Sequence, residues 1–260
     1  MKCIFVTGGV LSGLGKGVAA ASIGHLLADS YRVVPIKCDG YLNTDPGTMN
    51  PVEHGEVFVL EDGGEVDMDF GHYERFMRVE CKSSWSLTMG KVFMRIVEAE
   101  RRGDFLGKTV QFIPHVTDEI KKWWRSVARD ENADILIIEI GGTVGDLENE
   151  MYIEAARQLA LELPKSSVLF AHLTYVPMLA NVHEQKSKPS QQSVSMLRAR
   201  GITPDLILAR SEEPLEEKIR EKIALYASVP TAQVIGAPDV ADVYLLPSVL
   251  EQQGILEQIN

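Results

Sequence analysis

The chain has 260 residues, 45% apolar and 24% charged, a composition that excludes disordered, fibrous and low-complexity classes. Its 37 acidic residues outnumber 26 basic ones, and the formal net charge of −11 argues against a general nucleic-acid or anionic-membrane surface. Local basic clusters could still bind phosphate.

The predicted elements begin with a strand, "KCIFVT" (2–7), followed by the glycine-rich run "GGVLSGLGKGV" and a helix after Lys16. Lys2, the apolar start and "AAAS" superficially resemble a leader, but Lys16 and five glycines interrupt the apolar region. No apolar run approaches the ~20 residues needed to span a bilayer. A second strand, "RVVPIKC" (32–38), leads into residues 39–76, which are glycine-rich and acidic and read as mostly irregular, with a short strand "EVFVL" at 56–60. A helix is expected at 85–102, a strand "TVQFIP" at 109–114, a helix at 117–129 and a strongly apolar strand "ADILIIEI" at 133–140. Then alternate a helix (149–162), "SVLFAHLT" (167–174), a helix (190–200), "DLILAR" (205–210), a helix (214–227), "AQVIGA" (232–237) and a closing helix (241–253). Runs such as "ILII" suit strands covered on both faces. The alternation predicts a doubly wound α/β fold with a mostly parallel sheet flanked by helices. Nothing marks a linker or a repeat, so a single domain over 1–260 is expected. Cys3, Cys38 and Cys81 form no CxxC pair and cannot all be paired within the chain, which fits a reduced, cytoplasmic setting.

Ligands of such sheets gather outside the C-terminal strand ends, and four stretches there carry chemistry. The glycine loop has the strand–loop–helix context of a phosphate cradle, in which backbone N–H groups and a helix N-terminus face the anion. It departs from G-x4-G-K-[ST]: Val10 replaces the first glycine, and Gly17 replaces the residue whose hydroxyl ligates Mg²⁺. A tight turn needing glycines only for packing is the alternative; a dinucleotide loop fits less well, since Val18 stands at the third glycine position. In the second stretch Lys37 leaves a strand end, within reach of phosphates on the loop. The acids that follow (Glu61, Asp62, Glu65, Asp67, Asp69) lack calcium-loop spacing, and one or two at most are expected to bind metal. In the third, "EIGGTVGDLE" (139–148), Glu139 ends a buried strand, where a Walker-B acid sits; a salt-bridged structural carboxylate is the alternative. In the fourth, "HEQKSKPSQQSV" (183–194), Lys186 and Lys188 precede a helix and could clamp a polyphosphate, or simply be solvated.

Together these stretches, with "YLNTDPGTMNPVEHGEVFVLEDGGEVDMDFGHYERF", "GKTVQFIPHVTDEI" and "GITPDLILAR", closely resemble the synthetase (amidoligase) domain family of CTP synthases, over residues 2–256. The resemblance implies a P-loop-like, dethiobiotin synthetase-type domain. It also implies a reaction in which ATP phosphorylates the 4-oxygen of UTP and ammonia displaces the phosphate to give CTP. Carried over by position, Gly13, Leu14, Gly15, Lys16, Gly17 and Val18 would cradle the ATP phosphates, with Lys16 and Lys37 catalytic. Asp69 and Glu139 would hold Mg²⁺, replacing the hydroxyl missing after Lys16, and Asp69 would also touch ATP. Arg210, Pro238, Asp239 and Val240 would flank adenine. Ser12, the run Lys186, Ser187, Lys188, Pro189, Ser190 and Gln191, and Lys222 would hold UTP. Asp146, Leu147 and Glu148 would sense CTP as product and feedback inhibitor. Pro51, His54 and Val57 would line the ammonia passage.

Three departures stand out. Gly40 replaces a usual proline beside Lys37, Ser187 and Ser190 replace threonines, and Pro238 replaces a residue that can be polar. No cysteine has the G-x-C-x-G setting of the family's glutaminase nucleophile, so free ammonia or a separate glutaminase is the expected nitrogen source. A homo-oligomer, dimer or tetramer, is also implied, with no nucleic-acid or membrane partner. Two other readings stay open: a non-catalytic nucleotide-binding or assembly module, and a related ligase acting on another acceptor.

Overall fold

The computed structural model describes residues 1–179, 181 and 183–259, apart from the side chain of His54. Seven strands form the central sheet: β1 (Lys2–Gly8), β2 (Val33–Asp39), β3 (Ser86–Thr88), β4 (Ile135–Ile140), β5 (Val168–Val176), β6 (Leu206–Ser211) and β7 (Val234–Pro238). Their order is β7-β6-β5-β1-β4-β2-β3, and every pairing is parallel. The helices that cover it are α1 (Lys16–Ala28), α2 (Asp69–Met77), α3 (Met89–Arg102), α4 (Thr117–Asp130), α5 (Glu150–Glu162), α6 (Lys188–Ala199), α7 (Glu217–Ala227) and α8 (Leu246–Gln252). The doubly wound α/β fold expected from the alternation is therefore present.

Every residue of β4 is buried, as a strand with helices on both faces requires. Strand alternation sorts the side chains: Val6, Lys37 and Glu139 are in register and share the face covered by α1. Phe5 lies on the other face, where its ring meets Trp124 of α4 at 5.4 Å and Phe170 at 5.2 Å. Cys3, Cys38 and Cys81 are free and buried, and among the described residues no helix is long and apolar enough to cross a membrane.

Four sequence expectations are corrected. Residues 39–76, read as mostly irregular, contain the nine-residue helix α2. Phe70, Tyr73, Phe76 and Met77 recur at helical spacing and are buried, and Asp67 Oδ1 accepts from Asp69 N at 2.9 Å at its start. The helix expected from 85 starts at Met89; the residues before it form the edge strand β3, too short for alternation to show, and Thr88 Oγ1 caps α3 by accepting from Lys91 N at 3.2 Å. The strand expected at 109–114 is absent: Ile113 has extended backbone (φ −115°, ψ 124°) but pairs with no strand, and Phe112 and Ile113 are exposed. Pro114 offers no N–H to a ladder. The run 56–60 contributes only Phe58–Val59, paired antiparallel with Glu65–Val66 outside the central sheet.

Helix α2 lies close along α1. A Cβ at Gly17 would fall 2.0 Å from Asp69 Oδ1, and one at Gly24 2.3 Å from Met77 Cε. These contacts pair the starts and the ends of the two helices, so they run side by side in the same direction. Two glycines seven apart on α1 therefore bring the first residue of α2 over the start of α1.

Candidate active site

The glycine loop joins β1 to α1. Gly13 and Gly15 have φ of +77° and +90°, the left-handed region that L side chains avoid. Val10, a β-branched residue at φ +80°, marks a strained position in the same loop. No side chain caps α1, so its first N–H groups are free to meet an anion. Lys16, the first residue of α1, turns back and donates from Nζ to Gly142 O at 2.7 Å, tying the loop to the turn after β4.

Behind it sits an ionic cluster built by sheet register and by α2. Lys37 and Glu139 are neighbours across β2 and β4, and Lys37 Nζ donates to Glu139 Oε1 at 3.0 Å. The same ammonium donates to Asp69 Oδ2 and lies 3.9 Å from Asp67 Oδ1. Tyr73 on α2 donates its hydroxyl to Glu139 Oε2. Glu139 is 1% exposed and Lys37 5%, so each needs the other's charge.

The electrostatics follow from this crowding. Burial alone would lower the Lys37 pKa, but Glu139, Asp69, Asp39 and Asp67 outweigh it and hold the ammonium well above the usual lysine range. Burial also dominates at Lys16, which is held below its ordinary value; Glu139 works against that effect and Lys37 with it. For Asp69 burial is again the largest influence, but the Lys37 ammonium prevails and keeps the carboxyl below its usual range. Glu139 stays raised because burial prevails over Lys37.

Gly17, the residue in place of the usual hydroxyl, has a structural explanation. Asp69 presses its carboxylate onto the Gly17 Cα, so it occupies the space that a serine or threonine side chain would fill. Asp69 and Glu139 converge on one cation, Lys37. They supply the hard oxygen donors that Mg²⁺ takes in ones and twos beside substrate phosphates. Among the described residues no group of three or more carboxylate, imidazole or thiol donors forms a protein-only cage. Two convergent carboxylates are a donor set that fits a metal whose other ligands come from phosphate and water.

The other sequence candidates fall into groups. Arg210 pairs with Asp239 at 2.5 Å, and Arg210 and Val240 line a slot of about 120 Å³ together with Gly13, Leu14, Gly15 and Val18. Pro238 ends β7 beside them, and Ser12 is exposed on the loop. Asp146 Oδ2 accepts from Thr143 N at 2.8 Å and Thr143 Oγ1 at 2.5 Å, presenting Leu147 and Glu148 to solvent. A Cβ at Gly40 would meet the Glu148 carbonyl at 2.8 Å, so that departure brings two candidate loops into close contact.

Lys186 pairs with Glu184 at 2.7 Å, and the charge of Lys222 on α7 also reaches Glu184. Lys188 and Pro189 open α6, and Gln191 Nε2 donates to Ser187 Oγ at 3.1 Å. Ser190 Oγ donates to Tyr175 O at 3.0 Å, a structural use of that hydroxyl. Pro51 opens a one-turn helix, Pro51–His54, capped by Asn50 Oδ1, which accepts from Val52 N at 3.1 Å, and Val57 follows it. The His54 side chain lies outside the described residues.

Sequence reasoning missed Asp39 and Tyr73. Asp39 stands two residues after Lys37 on one strand and so shares its face, a signal that was legible. Burial raises its carboxyl from 3.8 to about 7; Lys37 opposes the shift, and Asp67, Glu139 and Asp69 reinforce it. The native chain therefore holds a proton on Asp39 between about pH 4 and 7 that the unfolded chain releases, so this group costs stability as pH rises through that window. Asp39→Asn is expected to melt several degrees above the parent chain at pH 8, with the gap closing toward pH 5. Melting curves of both proteins at the two pH values check this, and parallel pH profiles would contradict it.

Compared with known families, residues 2–260 match the one described as CTP synthase N-terminus. The chain belongs to this family. A CTP synthase from Borreliella burgdorferi is 58% identical over 260 residues, which are 100% of this chain and 49% of that protein. One from Pyrococcus abyssi is 56% identical over 255 residues, 98% of this chain and 47% of its own length. The chain thus spans about half the length of the curated CTP synthases it matches. Among solved structures, a plasmid partition protein from Borrelia burgdorferi aligns over 99% of this chain and 100% of its own at 9% identity and a TM-score of 0.49, too distant to bear on function. The family resemblance stated from the motifs is therefore correct.

Proposed function

We propose that residues 1–260 act as a CTP synthase synthetase domain that aminates UTP at the expense of ATP, a C–N ligase step in making pyrimidine nucleotides. The observation that carries this reading is the convergence of Lys16, Lys37, Asp69 and Glu139 at the start of α1, with Asp69 standing over Gly17. The glycine loop and the slot beside Arg210 take the phosphates and adenine of ATP. Lys186, Lys188, Gln191 and Lys222 take the acceptor triphosphate, and Asp146, Leu147 and Glu148 sense CTP.

In the reaction the UTP 4-oxygen attacks the γ-phosphorus as N3 gives up its proton to solvent, and ADP leaves. Ammonia then adds at C4, loses a proton, and expels inorganic phosphate. Lys16 and Lys37 supply positive charge where it develops on the transferred group, in a site whose burial strengthens each interaction. Asp69 and Glu139 would hold Mg²⁺, whose contribution is to neutralise phosphate charge. Tyr73 fixes the Glu139 carboxylate, and Asp39 adds to the charge that keeps Lys37 protonated.

The test is CTP formation from UTP and ATP across ammonium concentrations. Turnover is expected with ammonium and none with glutamine alone; a folded chain that binds both nucleotides yet forms no CTP from ammonium would refute the reading. Lys16→Ala is expected to lower the rate by ~10²-fold or more, the scale of losing one preorganised charge contact.

Self-association belongs to the same reading. A cavity of about 420 Å³ is lined by Leu42, Phe93, Phe112, Leu147 and Met151, and Leu147 is 84% exposed. Exposed apolar surface of this kind suits a second copy of the chain. Sedimentation is expected to show a dimer or tetramer; a monomer at all concentrations with nucleotide present would exclude it.

A further inference from the structure

On the sheet face opposite the ionic cluster, β1 and β5 place Thr7 and His172 in register. His172 Nδ1 lies 2.8 Å from Thr7 Oγ1, and its Nε2 lies 2.6 Å from Ser193 Oγ on α6. All three residues are buried. A Cβ at Gly9 would fall 1.7 Å from Ser193 Oγ, so the root of the glycine loop is pressed against the same side chain.

We propose that His172 is a positioning residue: with Thr7 and Ser193 it locks α6, which opens with Lys188 and Gln191, in fixed register against the root of the glycine loop. The proposal deepens the functional reading above, since it assigns α6 to the acceptor nucleotide and the loop to ATP.

The chain of bonds is the feature that makes this a link between sites. Lys186 N donates to Pro177 O at 3.0 Å, which holds the start of α6 near the end of β5. Ser190 ties α6 to the backbone of β5. The Ser193–His172–Thr7 path goes on from side chain to side chain to β1, which runs directly into the loop. A neutral imidazole donates from one nitrogen and accepts at the other, so both hydroxyls are satisfied together. Burial, with the Lys16 charge adding to it, holds the imidazole pKa down to about 3, so the link stays neutral at working pH. Three buried polar groups that satisfy one another fit a single helix register, whereas apolar side chains would tolerate several.

The test uses Ser193→Ala, His172→Asn and His172→Gln in the whole chain, with two readouts. The Asn amide reaches the Thr7 side only, and the Gln amide reaches Ser193. Ser193→Ala and His172→Asn are expected to raise KM for UTP by about tenfold, with KM for ATP within about twofold, and His172→Gln to recover most of the loss. In the nucleotide-free chain, amide hydrogen exchange is expected to rise together at residues 9–17 and 188–194 in the first two variants and to return toward the parent in the third. Equal shifts in both KM values, or exchange rising in one segment alone or in neither, overturns the proposal. If the parent makes no CTP, the functional reading fails, and the exchange arm still decides the link: coupled loosening sustains it and uncoupled loosening removes it.

Discussion

Gly17→Ser, which would restore the hydroxyl that phosphate loops usually carry, is expected to abolish CTP synthesis rather than improve it. The new Cβ alone would stand 2.0 Å from Asp69 Oδ1 and 2.3 Å from Asp69 Cγ. Neither side can yield cheaply: Gly17 is in the first turn of α1, and Asp69 is the first residue of α2 with its carboxylate on Lys37. Relief requires α2 to move away from α1, which separates Asp69 from Lys37. Overpacking costs about 1–3 kcal/mol, and loosening a buried charge pair adds to it. Turnover with ammonium is expected to fall by ~10³-fold or more, the scale of misplacing a charged group in a preorganised site. Gly17→Ala should behave alike, because the clash begins at Cβ. A Gly17→Ser chain with near-parent rates would show that Asp69 does not belong over the loop.

Glu139→Gln keeps the shape and removes the charge that faces Lys37 at 3.0 Å. Two effects are expected together: loss of phosphoryl transfer to background, and a loss of stability of about 3–5 kcal/mol, since Lys37 would then be buried against fewer opposite charges. The stability loss is the informative part, because a carboxylate serving only as a metal ligand would leave the metal-free chain unharmed. Lys37→Met on its own strands Glu139, with Tyr73 as its remaining donor. The double variant Lys37→Met with Glu139→Gln should recover much of the stability and none of the activity. Denaturant unfolding of the four proteins without nucleotide or Mg²⁺ gives the coupling directly. Additive losses would mean that the two residues act independently, against the geometry.

Read along the chain, Glu139 is the polar end of an apolar strand, and its partner is invisible. The register that puts it beside Lys37 depends on β4 inserting between β1 and β2, an order created by crossover helices rather than by adjacency in sequence.

Much was legible without coordinates. The strands that became β1, β2, β4, β5, β6 and β7 announced themselves as short β-branched runs, because burial on both faces leaves no polar alternation. The glycine loop, Lys16, Lys37 and Glu139 could be found because ligand sites in such sheets lie past the strand ends. The edge strand β3 was hidden by its brevity. Helix α2 was masked by Gly71 within it and by the acidic residues before it, although its apolar spacing was present.

What the amino-acid sequence by itself determined was the fold class, the glycine loop between strand and helix and membership of the CTP synthase N-terminal family, all carried by local pattern and long motifs. What the tertiary structure alone decided was the purpose of Gly17, the place of Asp69 above it, the grip of Tyr73 on Glu139 and the path from Thr7 through His172 to Ser193. Each of these joins residues from separate elements. Their meeting depends on how closely α2 can lie on α1 and on which strands become neighbours, quantities set by packing of the whole core and absent from any one stretch of the chain.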